Sequence, residues 1–290
     1  SSMGPFGLSE VGFFNRHKNN VMEMCPYQDP DITIKKIKNP FVTNQNLILS
    51  QTGKLIADTG YHLFPPPIDP RKFGKEVHRL IRAAEGKYHC EYLVSDNVIN
   101  KDAGFYVGDT DNFGHWLFEF LPKLLWYKKY LLEAGINVPI IVGEDVPKRW
   151  LVVGEPLGIP AKNFQRVKLG KTLKVKRLFI CGPSVANHFN NEFSYLRTDD
   201  ICELRVLFRN YYKLDLIPQN VDILFESREK ARWRKIINED SIIHIVKNKL
   251  GLKTEKFFPE KMTFKEQIEK LQSSKIFVGT GASLPFSFFM

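Results

Sequence analysis

The feature that most narrows the folds open to this chain is the alternation between Val221 and Ser283. A run of β-branched and aromatic residues, Val221-Asp-Ile-Leu-Phe225, leads into the cation-rich Glu226-Ser-Arg228-Glu-Lys-Ala-Arg232-Trp-Arg234. A helical pattern follows over 239–250, then a strand over 254–258, a helix over 263–272 and a third strand, Lys275-Ile-Phe-Val278. Such alternation predicts a parallel sheet joined by crossover helices. The last strand breaks into Gly279-Thr280-Gly281-Ala282-Ser283. A strand end feeding a small-residue turn that opens a helix offers free backbone N–H groups and a positive dipole end, which suits phosphate. Ligands gather at the C-terminal ends of parallel strands, so the Arg228 end and the glycine turn are expected to share one crevice. Two anion-binding devices there imply a diphosphate, hence a nucleotide or nucleotide-sugar ligand.

The preceding region repeats the pattern. Val138 to Val142, Asn163 to Val167 and Leu173 to Cys181 read as strands, with a helix over Lys148 to Leu157. That is a Rossmann-like half. Ser184 to Arg197 reads as a polar loop offering His188, Asn190 and Asn191, and Asp199 to Leu214 as an amphipathic helix crossing into the second half. Further upstream, Tyr88 to Val94 and Val98 to Val107 alternate as strands, and Leu47 to Ala57 suggests two strands around Thr52-Gly53. A short helix is expected near Lys72 to Ala84, and residues 1 to about 45 read as an irregular arm or edge hairpin. The expected division is an N-terminal arm with the β-rich part of the first domain over 1–100, a Rossmann-like domain over 101–197 and a second over 198–290.

Composition bounds the partners. The formal net charge of +10 admits nucleic acid, anionic substrates or an acidic lipid surface. The basic residues gather only in Lys168 to Arg177 and Arg228 to Lys235, which ranks nucleic acid below a nucleotide sugar. Cys25, Cys90, Cys181 and Cys202 are scattered, with no CxxC and no His at ligand spacing, which disfavours zinc. Two disulfides are compatible with that count, but a reducing compartment is the simpler expectation. Neither a membrane-length apolar run nor a signal peptide is legible, so a soluble, cytoplasmic protein is expected. The opening Ser1-Ser-Met-Gly4 looks like a cloning scar, which leaves room for an N-terminal anchor ahead of it.

The first stretch with chemistry is Gly108-Asp109-Thr-Asp111-Asn112-Phe-Gly114-His115-Trp-Leu-Phe-Glu119-Phe-Leu-Pro122-Lys123. Asn112 is a good N-cap for a largely buried helix. Within that helix His115 and Glu119 lie one turn apart on one face. Pro122 predicts a kink or two short helices. Asp109-Thr-Asp111 is formally a DxD sequence, the metal-binding signature of GT-A glycosyltransferases, but no GT-A strand order surrounds it.

Four motifs in order over 105–290 carry a family resemblance. Asn112 to Lys123 resembles the GHxxxExLPR-type segment of the family 61 glycosyltransferases. These include plant xylosyl- and arabinosyltransferases of cell-wall polysaccharides and animal enzymes that add N-acetylglucosamine to protein glycans. Ser227-Arg228 with Arg232 and Asn238-Glu239 is similar to that family's arginine-rich strand end and the helix start after it. Phe258-Pro259-Glu260 followed by Thr263-Phe264-Lys-Glu266-Gln267 resembles its helix opening, and Val278 to Leu284 its His-Gly-Ala loop. Thr280 stands where many members have His, replacing an imidazole contact by a hydroxyl. After Met290 the resemblance leads one to expect a further strand and a C-terminal helix. The first hundred residues carry no resemblance.

The resemblance implies an α/β, GT-B architecture: two Rossmann-like domains facing a central cleft, the first serving the acceptor and the second the donor. It also implies inversion at the anomeric carbon, from a UDP-sugar to a β-linked glycan hydroxyl, with xylose the first expectation and N-acetylglucosamine the second. Catalytic candidates are Asp111, His115 and Glu119. Donor-binding candidates are Arg228, Arg232, Asn238, Glu239 and Phe258 with the loop Gly279, Thr280, Gly281, Ala282 and Ser283. No metal and no cofactor is expected, since the arginines and a helix dipole can neutralise the leaving diphosphate. The expected partners are a nucleotide sugar and a glycan acceptor, with no nucleic acid and with room for peripheral membrane contact. The competing readings are a metal-dependent GT-A-like transferase using Asp109 and Asp111, and a non-catalytic nucleotide- or glycan-binding protein. A His–Glu pair on an apolar helix and an Asn at a helix start are also common as purely structural features.

Overall fold

The computed structural model describes residues 12–14, 24–26, 34–42, 48–51, 77–82, 88–92, 98–168, 171–181, 185–187, 194–196, 198–229 and 235–279. The chain divides into two compact units, one of Ser1–Pro147 with Pro160–Asp200 and one of Lys148–Ile159 with Ile201–Met290. Both are mixed α/β with a parallel sheet at the centre.

In the first unit seven strands share one sheet: β1 (Ile34–Lys38), β2 (Phe41–Val42), β3 (Ile48–Leu49), β4 (Val98–Gly108), β5 (Ile140–Gly143), β6 (Phe164–Val167) and β7 (Thr172–Cys181). Their order is β6-β5-β4-β7-β2-β3, with β1 pairing along another stretch of β7. The four strands β6, β5, β4 and β7 are parallel. At their edge β7 pairs antiparallel with β2 through Leu173 and Lys174, and with β1 from Arg177 to Cys181. β5 is Ile-Ile-Val-Gly and wholly buried, the continuous apolar run of a strand covered on both faces. It contributes Ile141 to a core with Tyr106, Val167, Leu173, Val175, Leu178 and Ile180. From β4 the chain steps outward to β5 and β6, then returns to the other side of β4 as β7. In open α/β sheets ligands bind outside the strand ends at such a reversal, here beyond the C-terminal end of β4.

The helical run over 113–132 leaves from this point and does not break at Pro122. It passes instead through α-helical Phe113–His115, a π segment Trp116–Phe120, α-helical Leu121–Tyr127 and a second π segment Lys128–Leu132. Proline lacks an N–H and crowds the carbonyl four residues back; widening the preceding turn relieves both without ending the helix. Burial supplies the rest of the reason. Trp116, Leu117, Leu121, Leu124, Leu125 and Tyr127 are fully buried, and the Tyr127 hydroxyl donates to Val138 O at 3.0 Å while accepting from Val138 N at 3.2 Å.

Elsewhere the structure departs from expectation. Val77–Arg82 is a strand paired antiparallel with Tyr88–Tyr92, not a helix. The pairing partner outweighs a weak local helical pattern. Val185–Asn187 and Ser194–Leu196 form a hairpin inside the expected loop, while His188, Asn190 and Asn191 lie outside the described residues, as does the strand expected after Thr52.

The second unit follows the predicted alternation closely. α1 (Thr198–Tyr212) carries the chain into it, and β8 (Val221–Glu226), α2 (Glu239–Leu250), β9 (Thr254–Phe257), α3 (Phe264–Gln272) and β10 (Ser274–Val278) follow. The parallel order is β9-β8-β10, so strand order reverses at β8. α3 buries Phe264, Ile268 and Leu271 on one stripe, and Phe264 meets the rings of Phe208 and Tyr212 at 6.0 and 6.4 Å. Lys148–Leu157, expected as an ordinary helix, is a 3-10 helix containing Pro156 and lies beside α3. Among the described residues no helix is long and apolar enough to cross a membrane.

Candidate functional site

The end of β8 is where the sheet of the second unit concentrates charge. Four apolar positions of the strand are buried, and the strand closes on Glu226, also buried, followed by buried Ser227. The Ser227 N–H donates to Phe257 O at 2.9 Å, so β8 and β9 stay paired to the last residue. Arg228 then leaves the sheet. Its backbone N–H donates to Glu239 Oε2 at 3.1 Å, and its Nη1 lies 3.5 Å from Glu226 Oε1.

Glu239 opens α2, where acidic residues suit the dipole. Although Asn238 occupies the N-cap position, its side chain makes no cap hydrogen bond. The capping explanation for Asn238 therefore fails, and the buried Glu239 carboxylate reaches back to the strand end instead. Lys256, from β9, stands 3.2 Å from Glu239, 2.8 Å from Asp240 and 3.5 Å from Glu229. Hydrogen bonding to Asp240 and Glu239 holds the Lys256 ammonium above its ordinary pKa. Glu229, Asn238, Glu239, Asp240 and Lys256 line an open, polar pocket with Ile236, Ile237 and Ser241.

The motif that follows is a piece of joinery. Thr263 caps α3 in a capping box: its hydroxyl accepts from Glu266 N at 3.3 Å, while Glu266 accepts from Thr263 N at 2.7 Å. Gln267 donates to Pro259 O at 2.8 Å and Met262 O at 3.1 Å, stitching the turn after β9 to α3. Phe258 is half-buried under the Lys261 ammonium, 4.4 Å from its ring centroid. Gly279 is exposed directly after β10. Arg232, Thr280, Gly281, Ala282 and Ser283 lie outside the described residues.

In the first unit the end of β4 carries the second group. Asn112 caps the helix, accepting from Gly114 N at 2.9 Å and His115 N at 3.3 Å. His115 Nδ1 hydrogen-bonds Glu119 Oε1 across one turn. The His115 side chain is 43% exposed and that of Glu119 13%, so the ring has an open side and the carboxylate behind it little. The hydrogen bond to Glu119 raises the His115 pKa; partial burial opposes this, and the charges of Glu119 and the exposed Asp111 add to the rise. Lys123, one further turn along, donates to Val107 O at 2.8 Å and pins the helix to β4.

Asp109 is spoken for structurally. It is 5% exposed and accepts from Asp145 N at 3.1 Å. Its carboxylate lies against Gly143, where an added Cβ would come within 1.8 Å of Asp109 Cγ. The Asp109-Thr-Asp111 sequence is thus split between one buried structural carboxylate and one exposed one, and among the described residues no cluster of His, Cys, Asp or Glu has the form of a metal site.

Sequence reasoning passed over three of these participants: Glu226, Lys256 and Lys123. For Glu226 a signal exists, since a carboxylate closes an otherwise apolar strand. For Lys256 and Lys123 the significance depends on neighbours that no local pattern reveals.

No curated protein matches the sequence. Residues 113–290 match the profile of the family described as Glycosyltransferase 61, beginning at the capped helix of His115 and running through β8 and α3 to the last residue. With that match covering more than half of its length, the chain belongs to glycosyltransferase family 61, and its reaction class is glycosyl transfer.

Proposed function

We propose that the protein is an inverting GT-B glycosyltransferase that moves a sugar from a UDP-sugar to a glycan hydroxyl in β-linkage. Xylose is the first expectation for the sugar and N-acetylglucosamine the second; both follow from the family. The observation that carries this reading is the end of β8, where Arg228 is anchored by its own backbone to Glu239 at the strand-order reversal of a parallel sheet. In this reading the second unit serves the donor. The Arg228 and Arg232 forks hold diphosphate oxygens, the loop from Gly279 to Ser283 completes the cradle, and Asn238, Glu239 and Phe258 contact the rest of the nucleotide.

The first unit serves the acceptor. His115 gives its Nδ1–H to Glu119, which leaves the Nε2 lone pair to accept the acceptor's hydroxyl proton. The acceptor oxygen then bonds to the anomeric carbon as the bond to UDP breaks, and the electron pair leaves on the diphosphate. Glu119 and Asp111 stabilise the imidazolium formed. Charge on the leaving group falls to the arginines, so the reading requires no metal ion and no cofactor.

The test is a thermal-shift series with UDP, GDP, CDP and several UDP-sugars, each with and without EDTA. A shift specific to uridine compounds that survives chelation supports the reading. A shift lost on chelation transfers the argument to a metal-dependent enzyme, and no shift with any nucleotide overturns the assigned donor site.

A further inference from the structure

We propose that Glu226 is a proton acceptor coupled to the anion site: a diphosphate that engages Arg228 binds together with one proton, taken from solvent onto the Glu226 carboxylate. This rests on the reading of Arg228 as the diphosphate contact. Glu226 ends the central strand, its side chain only 2% exposed. Its Oε1 has Arg228 Nη1 at a long 3.5 Å, and its Oε2 meets no hydrogen-bond partner among the described residues. Among the described residues, a carboxylate so placed keeps its charge chiefly through the Arg228 guanidinium, because burial penalises the ionised form.

Among the described residues, the charged groups around it give little further help. Arg228 faces it from the end of its own strand, Glu239 from the first turn of α2, and Glu260 from the 3-10 turn after β9. Two of the three are therefore negative. Lys256, the cation of β9, is already shared among Glu229, Glu239 and Asp240. Burial raises the Glu226 pKa most, Arg228 opposes, and Glu260 and Glu239 add to the rise.

A diphosphate arriving at Arg228 changes two things at once. Its oxygens compete for the guanidinium that holds Glu226 ionised, and its negative charge lies close to the carboxylate. Both favour protonation, and a protonated Glu226 gains an O–H to donate where the carboxylate only accepts. Donor affinity should then fall as pH rises, with Glu226 as the cause.

The experiment is calorimetric titration of the whole chain with UDP, in buffers of different ionisation enthalpy, across about pH 5 to 8 where raised carboxylates titrate. The expected result is uptake approaching one proton per UDP over part of that range. Glu226→Gln should still bind UDP, but with no uptake and with only the pH dependence that the terminal phosphate's own ionisation at about pH 6 gives. Should that variant fail to fold, infrared difference spectra of the unaltered protein serve instead: UDP should add a protonated-carboxyl band, and its absence overturns the proposal. UDP binding without uptake, or uptake unchanged in Glu226→Gln, overturns the coupling and leaves the anion site standing. No UDP binding by the unaltered protein overturns the site itself, and the coupling with it.

Discussion

Gly143 and Asp109 occupy one space: a Cβ on the glycine would stand 1.8 Å from Asp109 Cγ, 2.1 Å from Oδ2 and 2.2 Å from Oδ1. The carboxylate that accepts from Asp145 N at 3.1 Å can sit there only because β5 ends in glycine. Gly143→Ala should therefore cost about 1–3 kcal/mol, the usual range for overpacking a filled site. Equilibrium denaturation should read it as a lower midpoint with an unchanged slope.

Arg228→Ala should weaken UDP binding about 10- to 100-fold, corresponding to a charged hydrogen bond of roughly 1.5–3 kcal/mol, and should also lower the melting temperature, because buried Glu226 loses the cation beside it. Direct binding measurement checks this, and unchanged affinity would remove Arg228 from the donor site. Arg228→Lys should recover only part of the loss, since an ammonium lacks the planar fork.

The His115–Glu119 pair predicts a pH signature of definite sign. The His115 pKa is raised chiefly by the hydrogen bond to Glu119. If neutral His115 is the base, turnover should rise with pH along a limb lying above the ordinary histidine range, and Glu119→Gln should move that limb to lower pH. Stability runs the other way. A raised folded-state pKa contributes stability fully present below the unfolded value of about 6.5 and lost as pH climbs through the folded value. The melting difference between the unaltered protein and Glu119→Gln should accordingly be widest near pH 6 and shrink in alkali.

Thr263→Ala removes the hydroxyl half of the α3 capping box and should cost about 1 kcal/mol of stability. Because the box braces a turn rather than touching a ligand, the donor KM should barely move. A large KM change with stability intact would give Thr263 a different role.

Cys181 and Cys202 are free thiols in opposite settings. Burial pushes the Cys181 thiol up to about 12, whereas Cys202 is exposed. A thiol reagent followed by peptide mapping should label Cys202 in the native protein and Cys181 only on unfolding.

The alternation from Val221 to Val278 is legible almost residue by residue, because each element there carries a complete local signal. α2 spans the predicted 239–250, and the Thr263 cap marks the start of α3. The 113–132 helix is legible in extent but not in form, since its π turns answer to packing around Pro122 that periodicity cannot express. Of the hairpin, Tyr88–Tyr92 is legible as a strand, but Val77–Arg82 is not, because Val77, Leu80 and Ile81 fall at helical spacing. Among the candidate site residues, the His115–Glu119 contact follows from helical spacing alone. The tie between the Arg228 backbone and Glu239 does not, because it joins residues eleven apart in the chain and on different elements. Glu226 becomes notable only once its burial is known.

The wide turn over Trp116–Phe120 makes the helix a register device. Each residue of an ordinary helix advances about 100° around the axis. A π turn holds one residue more than an α turn, so the extra residue is taken up without turning what lies on either side. Removing one residue between 116 and 120 would let the segment relax to α-helical geometry with His115 and the buried Leu124 and Leu125 still facing as they do, whereas the same loss within the α-helical Leu121–Tyr127 would swing everything before it by about 100°. One codon's loss is absorbed at the wide turn and becomes a rotation only outside it.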